Sequence, residues 1–425
     1  MGCRPAHAQG NWPEYRRVTL SKSDKHSGEN LGPQTRAALA GRRREWTGRV
    51  VNPPIWRGST HLYDTEGERQ ECLKHNEDGR FHYGRRGGPT QWALAEALTE
   101  MEPGAHGTML YPSGTAALAG ALMSALEPGD ALLVQDNVYE PTRAIASNLL
   151  KRWGVEARYF DPDDVESYSA AFDDRVKAVM LEVPGSLTME VCDVPRLAAI
   201  AREQGATVLV DNTWATGLGF AALEHGCDIT ITSLTKHASG HSDVLMGAAS
   251  AGKAHYARLR HTAQLLGQHV SPDDAALVSR GLRTMPLRLT RTAQTGLQVA
   301  QWLRDRPEVA HVLHPMLEGS PGHEYWARDF TGGCGLFSFV FAGHTDAQRS
   351  AFVDALQLFG IGYSWGGFES LALPFDPPRI RSASAWPRQG WREEDRLGVR
   401  LAIGLEDAED LIADLDRAFA AIKHT

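Results

Sequence analysis

Apolar residues recur at two periods along this chain, and the change from one to the other outlines its architecture. Trp92, Leu94, Ala95 and Leu98 stand at helical spacing within residues 91–101, a run that stops before Pro103-Gly104; this predicts a helix followed by a turn. Residues 115–126 form a second, small-residue helix closed by Glu127-Pro128-Gly129-Asp130. Short apolar runs predict strands at 108–111, 131–135, 156–160, 177–183, 207–210, 228–232 and 245–250, and helical patterns fit 140–153, 194–204 and 220–225. Such alternation indicates an α/β fold with a mostly parallel sheet.

The pattern changes near Arg280 and Arg283. Residues 290–304 read as a long helix stopped by Pro307, 335–341 as an alternating strand, and 407–422 as an amphipathic helix with Leu411, Leu415, Phe419 and Ile422 on one face. We expect a second, smaller α+β domain here. The first eighty or so residues are polar and weakly periodic, with turns at Asn52-Pro53-Pro54 and Arg57-Gly58-Ser59-Thr60. A long irregular stretch is unusual inside a compact domain, so an arm lying over another surface is expected. The division is 1–87 arm, 88–283 α/β domain and 284–425 C-terminal α+β domain.

Composition changes this picture in one respect. The net charge of −8 gives no global reason to expect nucleic acid, but residues 1–86 hold 16 Lys/Arg against 10 Asp/Glu. A basic arm on an acidic body suits docking on a neighbouring subunit; a solvated tail has the same composition. Five cysteines without CxxC spacing (Cys3, Cys72, Cys192, Cys227, Cys334) read as reduced thiols rather than a disulfide framework. No apolar run reaches the roughly 18 residues of a membrane span, and the first residues lack the apolar core of a signal peptide. A cytoplasmic protein, without membrane or nucleic-acid partners, is the expectation.

Three places carry chemistry. Ser113-Gly114-Thr115 joins a strand to a small-residue helix, where free N–H groups receive an anion well; a plain N-cap looks the same. Asp211, in Val208-Leu209-Val210-Asp211-Asn212-Thr213, ends a buried strand, the edge at which open α/β sheets bind ligands. An acid there can pair with a pyridinium nitrogen or merely cap a helix. Lys236 follows strand 228–232 in Ser233-Leu234-Thr235-Lys236, flanked by two hydroxyls. A lone lysine is ordinarily a surface charge, but this one suits a Schiff base with phosphate donors beside it. A small-residue helix start, a strand-end acid and a hydroxyl-flanked lysine occur here in the order of fold-type I pyridoxal 5'-phosphate (PLP) enzymes.

Further stretches carry a specific resemblance from about Tyr83 to the end of the chain. They include Tyr83-Gly84-Arg85-Arg86-Gly87, Tyr139-Glu140-Pro141, Pro184-Gly185-Ser186-Leu187-Thr188-Met189-Glu190-Val191, Asp211-Asn212-Thr213-Trp214-Ala215 and Gly240-His241-Ser242-Asp243. Ser279-Arg280-Gly281-Leu282-Arg283-Thr284, Tyr363-Ser364-Trp365-Gly366-Gly367 and Arg400-Leu401-Ala402-Ile403-Gly404-Leu405-Glu406-Asp407 complete the set. The chain resembles the Cys/Met-metabolism PLP-dependent enzymes, and among them the β-lyase branch. The resemblance implies a fold-type I PLP-dependent transferase-like fold and a homotetramer built as a dimer of dimers.

It also implies roles. Lys236 is the Schiff-base lysine and Asp211 the pyridinium partner, while Tyr139 stacks on the cofactor ring. Gly114, Thr115, Ser233 and Thr235 hold the phosphate. Tyr83 and Arg85 reach from the arm into a neighbouring subunit's site, Arg85 to phosphate. Arg400 grips the substrate α-carboxylate beside Ser364, with Trp365 and Gln264 also facing substrate; a planar guanidinium meets a carboxylate in bidentate fashion. An ordinary buried ion pair for Arg400 and core packing for Tyr83 and Tyr139 are the alternatives. Two positions depart from the family: Gln264 stands where the β-lyase has a substrate-facing tyrosine, and His237 follows the lysine where tyrosine is usual. The implied reaction is an α,β-elimination cleaving the C–S bond of cystathionine to homocysteine, pyruvate and ammonia. Lys236 moves the Cα proton, and Lys236 or Tyr83 protonates the leaving sulfur. Cystine or cysteine-S-conjugate β-lyase, the sibling γ-lyase, γ-synthase and O-acylhomoserine sulfhydrylase activities, and a PLP-binding regulator are the other readings. Trp365, where the γ branches carry leucine, and Tyr83-Gly84-Arg85, where they carry Tyr-Ser-Arg, favour the β-lyase. No metal is expected: His241 and Asp243 lack neighbouring ligands, and Gly332-Gly333-Cys334-Gly335 lacks the βαβ context of a dinucleotide loop.

Overall fold

The computed structural model describes residues 31–75, 79–377 and 381–422. Seven strands form the larger sheet: β1 (Gly107–Tyr111), β2 (Ala131–Gln135), β3 (Glu156–Phe160), β4 (Val176–Glu182), β5 (Thr207–Asp211), β6 (Ile229–Ser233) and β7 (Gly247–Ala251), in the order β1-β7-β6-β5-β4-β2-β3. The pairs from β3 through β6 are parallel; β7 runs antiparallel to both β1 and β6. Two apolar layers sandwich the sheet. Leu133, Val179, Leu181, Val208 and Val210 face one, and Leu132, Val134, Met180, Leu209 and Ile231 face the other. Alternate residues of a strand point to opposite faces, so these continuous apolar strands are what a doubly covered sheet requires.

The second sheet holds β8 (Val309–Leu313), β9 (Leu336–Phe341), β10 (Gly360–Ile361), β11 (Leu371–Phe375) and β12 (Gly398–Ala402), in the order β10-β11-β12-β9-β8. It is antiparallel apart from β10–β11. Phe337, Phe339 and Phe341 alternate into a core closed by Phe352, Leu415 and Phe419. The helix Met285–Arg304 links the two units: Met285 and Leu289 belong to the first core, and Val299, Ala300 and Leu303 to the second.

The structure corrects three sequence expectations. Residues 220–225 form turns behind the short helix Thr216–Gly219 rather than a helix; glycines at 217, 219 and 226 leave too short a run to propagate one. The pattern over 140–153 is helix Glu140–Ala144 followed by a wide-turn segment, Ile145–Leu150. The early segment is less irregular than its composition suggests, with helices at Pro33–Leu39 and Glu66–Cys72. Arg283 Nη1 donates to the carbonyls of Ala37 (2.7 Å) and Ala40 (2.9 Å), fixing part of the arm on its own chain; residues 1–30 and 76–78 of the proposed arm, with Cys3, lie outside the described residues. Cys72, Cys192, Cys227 and Cys334 are free thiols. No helix among the described residues is long and apolar enough to cross a membrane.

Candidate active site

The C-terminal ends of β4, β5 and β6 bring Glu182, Asp211 and Ser233 to one edge, with Glu182 paired in register to Asp211. A cavity of about 210 Å³ opens there. Its walls include Gly114, Thr115, Tyr139, Asp211, Ser233, Thr235, Lys236, Ser364, Trp365 and Arg400, so residues from both sheets meet in it.

The helix Gly114–Ala125 begins at the cavity. Ser113 caps it by accepting the Ala116 N–H at 3.1 Å, while the N–H groups of Gly114 and Thr115 have no carbonyl one turn earlier. Gly114 permits a close approach: a Cβ there would lie 2.7 Å from Ser233 Oγ. The Thr235 hydroxyl is engaged with Met246, donating to its carbonyl (3.2 Å) and accepting its N–H (3.1 Å).

Asp211 is buried, and Thr213 holds it: one carboxylate oxygen accepts the Thr213 N–H (3.0 Å) and hydroxyl (2.5 Å). Burial raises the Asp211 pKa against these two bonds. Thr213 Oγ1 in turn accepts the Ser233 N–H at 2.9 Å, tying β5 to β6. Glu182 accepts the Tyr139 N–H at 2.6 Å, and burial followed by repulsion from Asp211 pushes its carboxyl well above the usual range.

Lys236 Nζ donates to Ser364 Oγ at 2.6 Å and lies 5.4 Å from the Trp365 ring centre. Burial, reinforced by the Arg400 charge, brings the amine down to about 8 against the attraction of Asp211. Arg400 Nη2 donates to the Ser364 carbonyl at 3.0 Å. Its Nε is buried with no hydrogen-bond partner among the described residues, a donor aligned with the need of a carboxylate. Ser364 holds φ at 82°, a conformation non-glycine residues seldom adopt and one kept where the surroundings enforce it.

The arm residues stand elsewhere. Tyr83, Arg85 and Gln264 are not among the residues lining the Lys236 cavity of their own chain. Arg85 Nη1 donates to the Gln264 carbonyl at 2.7 Å, and half-exposed Tyr83 lies with Arg85 on an open surface beside His269 and Asp273. Gln264 is thus a neighbour of Arg85 rather than of Lys236. His237 is buried with its ring edge-on to Trp365 at 5.3 Å; burial, then the Arg288 and Lys236 charges, lower its pKa to about 3, so it packs as a neutral ring. Sequence reasoning missed Thr213 and Glu182. The strand-end argument that picked out Asp211 applies equally to Glu182 at the end of β4.

A phosphorylated pyridine aldehyde fits this donor set. The helix start with its glycine cradle suits a phosphate, the buried Asp211 a ring nitrogen, the exposed face of Tyr139 a ring, and the amine of depressed pKa an aldehyde carbon. Among the described residues no cluster of three or more His, Cys, Asp or Glu side chains could hold a metal.

Comparison with known proteins agrees with this chemistry. Residues 34–420 match the model for the Cys/Met metabolism PLP-dependent enzymes. The chain is 42% identical to cystathionine beta-lyase MetC of Escherichia coli (strain K12), over 91% of this chain and 98% of that protein. It is 44% identical to a putative cystathionine beta-lyase of Rhizobium johnstonii, over 87% and 91%. The crystal structure of metB from Corynebacterium glutamicum superposes with a TM-score of 0.82 at 30% identity, covering 92% of this chain and 98% of that one. The chain therefore belongs to the Cys/Met metabolism PLP-dependent enzyme family, with a fold-type I architecture.

Proposed function

We propose that the protein cleaves the Cβ–S bond of thioether amino acids, L-cystathionine first among them, releasing homocysteine and an enamine that water hydrolyses to pyruvate and ammonia. One observation carries the reading: the Lys236 amine, the Ser364 hydroxyl and the unpartnered Nε of Arg400 converge in one cavity above Asp211. The relatives named as cystathionine beta-lyases support the substrate class.

Bound PLP supplies the electron sink that labilises the Cα–H and Cβ–S bonds. Lys236, Asp211, Tyr139, Gly114, Thr115 and Ser233 would hold it; Thr235 would have to share its hydroxyl with Met246. Arg400 binds the substrate α-carboxylate and so orients the Cα–H bond. The Lys236 amine, once free, takes the Cα proton. With its pKa lowered to about 8, about a quarter of it is neutral at pH 7.5, against about a tenth of a per cent at the ordinary value. The proton then passes to the leaving sulfur from Lys236, or from Tyr83 of a neighbouring subunit. Ser364 holds Lys236 and Arg400 in one geometry. Trp365 narrows the end of the cavity beside the amine.

The arm through residue 87 completes a second subunit's site in this account, within a dimer of dimers. The position of Tyr83 and Arg85 outside their own cavity supports it. The two sheets support a division at 88–283 and 284–425, with the helix Met285–Arg304 contributing to both cores. The free thiols fit a reducing, cytoplasmic setting.

Purified, PLP-loaded protein should be offered cystathionine, cystine and related thioether amino acids. Pyruvate with homocysteine from cystathionine is the expected result. 2-Oxobutyrate with cysteine would make it a γ-lyase, and negligible turnover on every member would overturn the enzymatic reading.

A further inference from the structure

Two buried carboxylates outside the Lys236 cavity grip a single stretch of chain. Asp136 accepts the N–H groups of Ser382 (2.9 Å), Ala383 (3.0 Å) and Ser384 (2.8 Å) and the hydroxyls of Ser382 (2.9 Å) and Ser384 (2.7 Å). Arg143 Nη1 donates to it at 2.9 Å, and Arg143 Nη2 donates to Ser382 Oγ at 2.9 Å. Burial opposes the charge, but the Ser384 and Ala383 N–H groups lead the donors that outweigh it, so Asp136 stays ionised. Glu190 accepts from Arg381 (2.8 Å), Arg388 (3.4 Å), Asn137 (2.9 Å) and Thr188 (2.5 Å). Residues 381–388 are therefore latched at both ends of their span.

Both latches sit behind cavity walls. Asp136 precedes Tyr139 by three residues, and Arg143 follows it by one helical turn. Glu190 closes the 184–190 loop, which the Asn137 carbonyl also holds by accepting the Ser186 N–H at 2.7 Å. Leu187 and Met189 line the cavity at φ 66° and 57°. Such left-handed backbone in bulky residues persists where neighbours over-determine it. The segment itself runs between β11 and β12, and β12 carries Arg400. It thus joins the unit that holds the carboxylate-binding arginine to the two walls that face the cofactor.

We propose that residues 381–388 act as a positioning strap: through Asp136 and Glu190 they fix Tyr139 and the 185–189 wall relative to Arg400, and so set how the amino-acid substrate seats. This rests on the cavity being the PLP and amino-acid site. The strap touches no reacting atom in this account. Its effect passes through Tyr139, Leu187 and Met189.

Four PLP-loaded variants test it: Asp136→Asn, which turns an N–H₂ toward the strap's donors; the double variant Ser382→Ala/Ser384→Ala, which deletes two hydroxyl donors and alters no buried charge; and Arg381→Lys beside Arg381→Ala, for rescue. Three readouts are taken: trypsin cleavage at the 381–382 bond mapped by mass spectrometry in the serine and Asp136 variants, the visible circular dichroism of bound PLP, and kcat and KM separately. The double variant should be cleaved about tenfold faster or more, as loss of two hydrogen bonds implies. Its cofactor band should change at unchanged PLP content, with a raised KM and lowered kcat, and Arg381→Lys should recover part of what Arg381→Ala loses. Faster cleavage with a wild-type band and wild-type kinetics would reduce the strap to a brace and overturn the proposal, as would unchanged cleavage. Should wild type turn over no thioether amino acid, the functional reading alone falls, because the cofactor band still reports the strap.

Discussion

The Lys236 cavity and the Tyr83–Arg85 surface are made of the same kinds of residue, yet the fold treats them oppositely. In the cavity the amine, the guanidinium and the carboxylate are buried, and each is held within the chain: Lys236 by Ser364 and Arg400 by the Ser364 carbonyl, both remote in sequence, and Asp211 by Thr213 two residues on. On the arm surface Tyr83 is half-exposed, and Arg85 has the backbone carbonyl of Gln264 as its contact. Burying a charge without partners is costly, so the cavity is a site the chain assembles for itself. The arm surface displays comparable chemistry with little to act on in its own chain. The comparison supports the proposal that one chain builds the anchor and the carboxylate grip, while Tyr83 and Arg85 serve a neighbour.

Removing the anchor should have the largest effect. Lys236→Ala should abolish the visible absorbance of the lysine-linked cofactor and nearly all turnover, since the proposed mechanism makes the residue both covalent anchor and proton carrier and no other lysine lines the cavity. Absorption spectra and steady-state rates measure this.

The other side of the comparison is tested by mixing lesions. Tyr83→Phe/Arg85→Ala and Lys236→Ala should each be inactive alone. Co-expressed with different tags, they should recover activity in the hybrid, where one site combines an intact lysine with an intact arm. Hybrids that form and stay inactive would make the arm a brace only.

Arg400→Ala should lower kcat/KM by about tenfold to a few hundredfold, the worth of a charge-assisted bond of about 1.5–3 kcal/mol, at near wild-type PLP content. Its pH profile sharpens the point. In the proposed mechanism the neutral Lys236 amine is the competent form, so activity should rise with pH through that pKa. The Arg400 charge helps depress it; without that charge the pKa climbs, and the acidic limb of kcat, which reports the substrate complex in which the amine is free, should move to higher pH. A limb that stays put would show that the titrating group is not Lys236.

Gln264→Tyr should have the smallest effect, a change in preference between cystathionine and smaller β-thio substrates with little change at the reacting centre. Because Gln264 neighbours Arg85, the change should be felt in the neighbouring subunit's cavity. Equal losses on every substrate would indicate a structural role.

Much of the large sheet was legible because its strands are short apolar runs punctuated by Gly, Pro and Asp, and because Asp211 and Lys236 sit where those runs end. The second sheet was harder to read. β8, β11 and β12 are antiparallel segments whose polar members, such as Arg400 and His311, break the apolar pattern, and only β9, with three alternating phenylalanines, stood out. The helix Lys253–Leu265 was missed because its buried face includes Arg260, which masks the periodicity. Thr213 and Asp136 carried no signal of their own. One threonine or aspartate among many becomes special only when folding brings Ser233 or residues 382–384 to it, across gaps of 20 and about 246 residues.

The claim on which the account depends is that Lys236 carries the cofactor. Borohydride reduction of the PLP-loaded protein, followed by proteolysis and peptide mapping, tests it directly. The account predicts a phosphopyridoxyl label on the peptide containing Lys236; a label fixed on any other lysine, with Lys236 unmodified, would contradict it.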